Sequence, residues 1–290
     1  MSLETSKVRR NLVIVRAGDS SLHPGWLAGD DSRNWDLVVN YFGKKPDVYQ
    51  EDDVVRIDST GPKWPPLQKL LIDHPQYCEQ YDYIWLPDDD LEMSKQDMNR
   101  FFDICAKYKL ELAQPSLTND SPMTHPLLIN NTASRIRFTN FVEVMAPCFS
   151  ASCLQRVLPT FSGTQSGWGI DWLWPPLVSN RESGIAIVDD VVIRHTRPLG
   201  GPNYDAMRAK GNSPLSELLE FQQERGIVHV RIEFHKVIWR SKWIMPARPQ
   251  SLMFRLKLFM GYTHAFIASP SRWMLLVQAL GRLRQPKKTA

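Results

Sequence analysis

The stretch that decides the fold runs from Tyr81 to Asp90 and reads Tyr-Asp-Tyr-Ile-Trp-Leu-Pro-Asp-Asp-Asp. Its first six residues form an apolar run of strand length, and Pro87 ends the hydrogen-bonded ladder of that strand. Three adjacent aspartates follow at once. Because ligands of open α/β sheets bind beyond the carboxyl ends of the strands, the acidic triplet stands where a binding site is expected.

Further strands and helices alternate on both sides of this stretch. We predict strands over residues 11–16, 35–42, 53–57, 110–113, 141–146 and 185–193. Helices are predicted over 66–78, after a capping box formed by Ser94 and Asp97, and from Ser150 to about Pro159. Strands separated by stretches long enough for helices indicate an α/β architecture with a mainly parallel sheet.

Composition is ordinary for a globular protein, but the charge is unevenly distributed. The 290 residues are 43% hydrophobic and 23% charged, which excludes a disordered or fibrous protein. Residues 236–290 carry 11 Lys and Arg and no Asp or Glu, whereas residues 1–235 hold 24 basic and 31 acidic residues. We therefore predict a catalytic domain over 1–205 and a helical, basic, aromatic-rich C-terminal extension over 206–290.

Several patterns bear on the compartment and partners. The four cysteines lack metal-type spacing, which predicts reduced thiols in a cytoplasmic protein. The apolar run 12–15 is too short for the core of a signal peptide. The basic tail interleaves cations with Trp239, Trp243 and Trp273, a pattern typical of helices that lie on anionic membranes. We expect it either to dock peripherally on the inner face of the cytoplasmic membrane or to pack on the acidic body. No nucleic-acid motif accompanies the charge, and no nucleic acid is expected as a partner.

The triplet Asp88, Asp89 and Asp90 is the strongest candidate site. Adjacent carboxylates repel one another, and clustering them is costly unless a cation neutralises them. Mg²⁺ and Mn²⁺ prefer oxygen ligands and commonly bridge to phosphates. In an extended loop Asp88 and Asp90 point the same way, so one can hold the ion while the other orients it or meets a hydroxyl. A solvated acidic turn is the alternative. Lys63 and Arg197 are candidate contacts for the phosphates of such a ligand.

Two other positions are candidates for chemistry. Asp171 stands in Ser166-Gly-Trp-Gly-Ile-Asp-Trp-Leu-Trp174, where the ring of Trp168 could stack on a sugar. Partial desolvation there would raise the pKa of the carboxylate and make it a better base, although it could also cap a helix. His195 ends a predicted strand. A neutral imidazole there could complete a metal site, although most single histidines are surface or core residues.

In sequence order these features resemble the GT-A type of nucleotide-sugar glycosyltransferase. Its members bind a divalent ion on the donor diphosphate through a DxD motif, and in several inverting members a WGx-acid stretch supplies the base. Particular strings also resemble a glycosyltransferase-like family of plants and bacteria known as a domain of unknown function. These strings, within residues 10 to 202, are Tyr81–Leu91, Glu111–Pro115, Val142–Ser150, Gly167–Asp171 and Val188–His195.

The resemblance implies a Rossmann-like GT-A fold, with a mainly parallel mixed sheet flanked by helices, and a metal-dependent glycosyltransferase. Asp88, Asp90 and His195 would hold Mn²⁺ or Mg²⁺, and Asp171 would be the base of an inverting transfer. Plant-like relatives have two acids flanking one other residue, so the extra Asp89 leaves open which pair holds the ion. The nucleotide-sugar donor would contact Asp88, Asp89, Lys63, Arg197 and Trp168.

The acceptor expected for such an enzyme is a hydroxyl of a glycan or of a lipid-linked molecule, in the synthesis of a bacterial surface polysaccharide. Two other classes stay open. One is a metal-dependent phosphoester hydrolase, since acidic clusters at strand ends also serve two-metal hydrolysis. The other is a non-catalytic glycan- or membrane-binding module that kept the fold. Turnover of a nucleotide sugar distinguishes the transferase from both.

Overall fold

The computed structural model describes residues 9–29, 32–226, 232–241 and 251–263. Its strands are β1 Asn11–Ala17, β2 Trp35–Tyr41, β3 Val54–Asp58, β4 Tyr83–Trp85, β5 Leu91–Glu92, β6 Leu112–Leu117, β7 Ser134–Thr139, β8 Cys148–Ser150, β9 Ile185–His195 and β10 Phe234–Trp239. Its α-helices are α1 His23–Trp26, α2 Trp64–Asp73, α3 Gln76–Glu79, α4 Lys95–Tyr108, α5 Ala151–Val157, α6 Pro202–Ala209, α7 Pro214–Arg225 and α8 Leu252–Gly261. Four short 3₁₀ helices cover Pro126–Leu128, Leu158–Phe161, Ile170–Trp172 and Pro175–Leu177.

A mixed sheet organises these elements in the order β10-β7-β9-β6-β8-β4-β1-β2-β3, with β5 paired to the end of β9. The half formed by β4, β1, β2 and β3 is parallel, whereas β8, β7 and β10 run antiparallel to their neighbours. All seven residues of β1 are buried, as a central parallel strand with covered faces requires. The predicted mainly parallel, helix-flanked sheet is confirmed.

The long helix α4 begins where the sequence predicts. The hydroxyl of Ser94 accepts a hydrogen bond from the backbone N–H of Asp97 at 3.1 Å and donates one to its carboxylate at 2.8 Å. Met98, Phe101 and Phe102 then fall on the buried face of the helix. The helix predicted over 66–78 is instead two helices, α2 and α3, because Pro75 cannot continue α2.

One predicted strand is wrong. Residues 141–146 are apolar and mostly buried, but they form an irregular segment between β7 and β8. Several of its backbone N–H and C=O groups form hydrogen bonds with side chains instead of with a neighbouring strand. The amide oxygen of Gln114 accepts from the N–H of Glu143 at 2.6 Å, and the indole of Trp85 donates to the carbonyl of Ala146 at 2.8 Å. The neighbouring strand β7 was not predicted.

The chain beyond residue 205 contributes to the sheet. β10 pairs antiparallel with β7, and a small apolar cluster joins it to α8 through Phe234, Phe254 and Leu258. This strand lies within the range predicted as a helical extension, and the boundary near 205 stays a prediction. The residues Trp243 and Trp273 of the basic tail lie outside the described residues. No helix among the described residues is long and apolar enough to cross a membrane.

Candidate functional site

The acidic triplet lies directly beyond the carboxyl end of β4, and backbone hydrogen bonds fix its path. The N–H of Asp88 donates to the carbonyl of Met145 at 2.8 Å. The carbonyl of Asp89 accepts from the N–H of Leu22 at 2.7 Å, and that of Asp90 accepts from Thr196. The triplet is therefore joined to the loop after β1, to the irregular segment 141–146 and to the end of β9.

Asp89 is engaged in holding these loops together. One carboxylate oxygen accepts from the N–H of Gly18 at 2.9 Å, and the other accepts from the guanidinium of Arg197 at 2.9 Å. Arg197 also donates to the carbonyl of Ser20. Burial raises the pKa of Asp89, while the bonds to Gly18 and Arg197 oppose that shift. Both oxygens of Asp89 are therefore bonded within the protein.

Asp90 and His195 form a buried pair. The Nε2 of His195 lies 3.1 Å from Oδ2 of Asp90, and its Nδ1 lies 2.7 Å from the carbonyl oxygen of Pro122. Burial alone would lower the pKa of His195, but hydrogen bonding and attraction to Asp90 raise it to about 9. Nδ1 donates to the carbonyl of Pro122, and at neutral pH the raised pKa puts a proton on Nε2 as well, so that beside Asp90 the ring is charged and not the neutral imidazole that the sequence predicts.

Asp88 faces a cation of the protein itself. The ammonium of Lys63 lies 2.6 Å from Oδ1 of Asp88 and donates to the carbonyl of Val144 at 2.9 Å. Lys63 directly precedes α2, and Trp64, the first residue of that helix, is buried in the core. The structure thus brings Lys63 to the triplet, as an ion-pair partner of one of its carboxylates.

The donor set of Asp90 and His195 suits a divalent cation. The Oδ1 of Asp90 is buried and has no hydrogen-bond partner in the described part of the chain, which is a costly state for a carboxylate oxygen. Carboxylate oxygens suit Mn²⁺, and the imidazole can join them once a metal ion displaces its Nε2 proton. Asp88 does not complete the set as the side chains stand: within the described ranges no three His, Cys, Asp or Glu side chains are grouped closely enough to hold a metal ion.

A second pair of carboxyl groups lies beside the triplet. Asp171 lies in the 3₁₀ turn Ile170–Trp172 and is 5% exposed, and Glu143, in the irregular segment, is also 5% exposed. Burial raises the pKa of Asp171 well above its ordinary value, and the charge of Glu143 raises it further. Burial also raises the pKa of Glu143 to about 7 and outweighs the attraction of His195. The pKa of Glu143 is suited to proton transfer near neutrality, and the carboxylate of Asp171, when it ionises, is a stronger base than an exposed aspartate.

The pKa of Glu143 predicts a pH-dependent stability. The folded protein keeps the proton of Glu143 up to about pH 7, whereas the unfolded chain loses it near 4.5, so the stabilising effect is present below pH 4.5 and is lost as pH rises through 7. The free energy of unfolding of Glu143→Gln, relative to that of the wild type, should therefore rise by about 2.5 kcal/mol between pH 5 and pH 8. Urea denaturation at both pH values measures this. The exposed Glu220→Gln is the control, and an equal pH response in both variants would contradict the expectation.

The loop 163–169, which leads to Asp171, is held by one carboxylate. Glu217 of α7 accepts hydrogen bonds from the hydroxyl of Thr164 at 2.6 Å, from the N–H groups of Gln165 and Ser166 at 2.9 Å each, and from the hydroxyl of Ser166 at 2.8 Å. Four donors on one carboxylate fix the backbone of three consecutive residues. The position of this loop therefore depends on α7.

Trp168 and the two glycines that flank it are also held in place. The indole N–H of Trp168 donates to the hydroxyl of Tyr204 at 2.7 Å. Gly167 has φ +81°, and a Cβ there would lie 2.4 Å from the indole nitrogen of Trp64. Gly169 has φ +93°, and its Cβ would lie 2.8 Å from Leu218. Close approach and left-handed dihedrals together require glycine at both positions.

Loss of the Glu217 carboxylate should loosen the loop. In Glu217→Gln one acceptor oxygen becomes an NH₂ group that faces a donor, so we expect the hydrogen-exchange protection of the Gln165 and Ser166 amides to fall roughly tenfold. Exchange followed by mass spectrometry measures this. Glu220→Gln changes an exposed residue on the same helix and should leave the loop unaltered; similar exchange in both variants would contradict the role of Glu217.

Two cavities adjoin these elements. One of about 610 Å³ lies between the start of α2, loop 163–165 and the helices α6 and α7, and its polar lining includes Gln165, Asn203 and Lys210. The other, of about 800 Å³, is lined in part by Trp26 and Thr196. Both volumes are in the range of small-ligand sites.

Five residues of the predicted set lie in one neighbourhood: Asp88, Asp90, His195, Lys63 and Asp171. Asp89 and Arg197 bond to each other and to the loop after β1. Sequence reasoning missed Glu143 and Glu217 as site residues. Glu143 is the one charged residue in the apolar stretch 141–146, and a lone carboxyl group in a predicted buried segment is a signal for a site residue. Glu217 lies on a polar helix after the predicted domain end, and no local pattern distinguishes it from its neighbours.

The same fold occurs in solved structures. GalNAc-T7, solved with UDP, GalNAc and Mn²⁺, matches with a TM-score of 0.51 and 8% identity, over 75% of this chain and 48% of its own. S. aureus TarS 1–349 matches with a TM-score of 0.48 and 12% identity, over 74% and 72% of the two chains. The structure of the same TarS fragment in complex with UDP-GlcNAc matches with a TM-score of 0.47 and 11% identity. The match covers 74% of this chain and 73% of the fragment. At these identities the likeness shows the fold alone. With its sheet topology, the chain has the GT-A fold of nucleotide-sugar glycosyltransferases, as the sequence predicted.

The chain belongs to the family described as Protein of unknown function (DUF707), whose model matches residues 53–243, well over half of the sequence. The resemblance to such a family, seen in short strings of the sequence, is thereby confirmed. No curated protein matches the chain.

Proposed function

We propose that this protein is a metal-dependent, inverting glycosyltransferase that moves a sugar from a nucleotide-sugar donor to a hydroxyl of a glycan or lipid-linked acceptor. One observation carries the proposal. Beyond the carboxyl end of β4 in a GT-A sheet, Asp90 keeps a buried oxygen without a partner in the described chain and faces the Nε2 of His195 at 3.1 Å. Leaving a carboxylate oxygen buried and unpaired is costly, and a bound cation would relieve that cost.

Asp88, Asp90 and His195 would hold Mn²⁺ or Mg²⁺ in this proposal. The ion supplies a Lewis acid that stabilises the charge developing on a departing nucleoside diphosphate, an effect worth several kcal/mol. The carbonyl of Pro122 keeps the Nε2 of His195 directed at the site, since it occupies the Nδ1 proton. Asp89 holds the loop after β1 and Arg197 in place beside these residues, where the proposal puts the donor.

Asp171 is the base that the proposal assigns to the acceptor hydroxyl. Its burial and the adjacent charge of Glu143 raise its pKa, so its conjugate base has a high proton affinity. Trp168 lies three residues before it and is only partly buried, and the proposal assigns its ring to stacking on the sugar. The cavity beside loop 163–165, with Gln165, Asn203 and Lys210, offers hydrogen-bonding groups for the acceptor.

Ligand-dependent stabilisation tests this function. Melting temperatures would be measured with UDP, GDP and a panel of their sugars, each with and without Mn²⁺. A nucleotide present at 100 times its Kd should raise the melting temperature by several degrees, and only with Mn²⁺. Nucleotide release on adding glycan acceptors should then follow. The proposal would be refuted if no member of the panel raises the melting temperature of the wild type and calorimetric titration with manganese releases no heat. Phosphate release without transfer would favour a hydrolase, and binding without turnover a non-catalytic module.

A further inference from the structure

The ammonium of Lys63 sits in a cage of oxygens. It lies 2.6 Å from Oδ1 of Asp88, 2.9 Å from the carbonyl of Val144 and 3.5 Å from that of Met145. The ring centroid of Trp64 is 4.9 Å away. A carboxylate, two carbonyls and an aromatic face around one nitrogen satisfy a compact cation on several sides.

The cage is part of the site's own architecture. The carbonyls belong to the irregular segment 141–146, and the carbonyl of Met145 also accepts from the N–H of Asp88. The side chain of Lys63 is 16% exposed and that of Asp88 is 36% exposed, so the ion pair is partly shielded from solvent, chiefly on the side of the ammonium. Lys63 therefore neutralises Asp88 while Asp90 pairs with His195, which explains why three ligand side chains do not converge in this arrangement.

We propose that Lys63 is an internal cation that competes with the divalent metal for Asp88, so that the metal site is completed only when the ammonium leaves that carboxylate. This inference rests on the proposed function. A nucleoside diphosphate supplies new anionic oxygens for the ammonium, so nucleotide binding releases Asp88. Metal and nucleotide then strengthen each other's binding, by the same factor in either order.

The variants Lys63→Met and Lys63→Gln test the competition. Mn²⁺ binding is measured without nucleotide by the decrease of the free Mn²⁺ signal in electron paramagnetic resonance, and again with saturating UDP. Both variants should bind Mn²⁺ alone about tenfold more tightly than the wild type, the size expected for one charge-assisted contact. The enhancement of Mn²⁺ affinity by UDP should shrink by a similar factor. Lys63→Gln keeps a hydrogen-bond donor for the carbonyl of Val144. Agreement between the two variants would therefore show that the change in Mn²⁺ affinity does not come from local misfolding.

Two further variants separate competition from a general change of charge. Arg197→Met removes a cation from Asp89 in the same loop but frees no oxygen of Asp88, so only its longer-range charge is lost and the gain in Mn²⁺ affinity should be under about threefold. Lys69→Met changes an exposed lysine of α2 and should have no effect. Unchanged or weaker Mn²⁺ binding in both Lys63 variants overturns the competition, as does an equal gain in Arg197→Met. If the wild type and all variants bind no Mn²⁺ even with UDP, the proposed function fails as well.

Discussion

Replacing Asp171 with asparagine is expected to lower the turnover number for sugar transfer by about 10²–10⁴-fold, the range that general base catalysis supplies. Asparagine keeps the size of the side chain but cannot take the proton of an acceptor hydroxyl. The UDP affinity in the presence of Mn²⁺ should change by less than about twofold, because the assigned metal ligands are Asp88, Asp90 and His195. Steady-state transfer rates and calorimetric titration of UDP measure the two effects separately.

The pH dependence gives a second readout of the same variant. A base with a raised pKa loses activity on the acid side of that pKa, so the acid limb of the wild-type rate profile should lie well above the ordinary aspartate range and vanish in Asp171→Asn. The folded protein also becomes less stable relative to this variant as pH rises, because the buried wild-type group must then ionise. Asp205→Asn, an exposed change on α6, is the control. Loss of UDP binding in Asp171→Asn would show that Asp171 holds the donor and is not the base.

Replacing Asp189 with asparagine is expected to destabilise the fold by about 3–5 kcal/mol, as breaking a buried ion pair does. The guanidinium of Arg137 donates to both oxygens of Asp189, at 2.7 and 2.8 Å, and both side chains are fully buried. Arg137 also donates to the hydroxyl of Tyr262, just beyond α8, and to backbone carbonyls. Without the carboxylate, the charge of Arg137 stays buried and uncompensated. Urea denaturation at pH 7 measures the loss.

Two comparisons make this prediction specific. Asp73→Asn breaks the exposed pair with Lys69 and should cost under 1 kcal/mol. The double variant Arg137→Met, Asp189→Leu removes both charges and should recover part of the stability lost in Asp189→Asn. A double variant less stable than the single one would show that shape and hydrogen bonding, and not the unpaired charge, cause the loss.

The sequence predicts the strands around the triplet because local signals agree there: β-branched runs, a closing proline and a cap at Ser94 each act within a few residues. It predicts Asp88, Asp90, Asp171 and His195 as a set only through their order and resemblance. The contact of Lys63 with Asp88 and that of Glu217 with loop 163–169 join residues 25 and more than 50 positions apart. Such contacts follow from tertiary packing, which no local pattern records.

The failed strand prediction over 141–146 has the same cause. An apolar run alone does not distinguish a strand from an irregular buried segment, since both hide side chains. What differs is the destination of the backbone hydrogen bonds. Here the side chains of Gln114, Trp85 and Lys63 make several of these hydrogen bonds, and all three come from other parts of the chain.

The pairing of β10 with β7 also bears on how the protein is made. Thr139 opposes Phe234, so β7 emerges from the ribosome almost a hundred residues before its partner. Until then one side of β7 is an open template for strand pairing with other chains, and the nascent protein is most prone to aggregate during that interval. Late docking of β10 at the edge of the sheet therefore makes the synthesis of residues 140–239 the stage at which chaperone protection matters most.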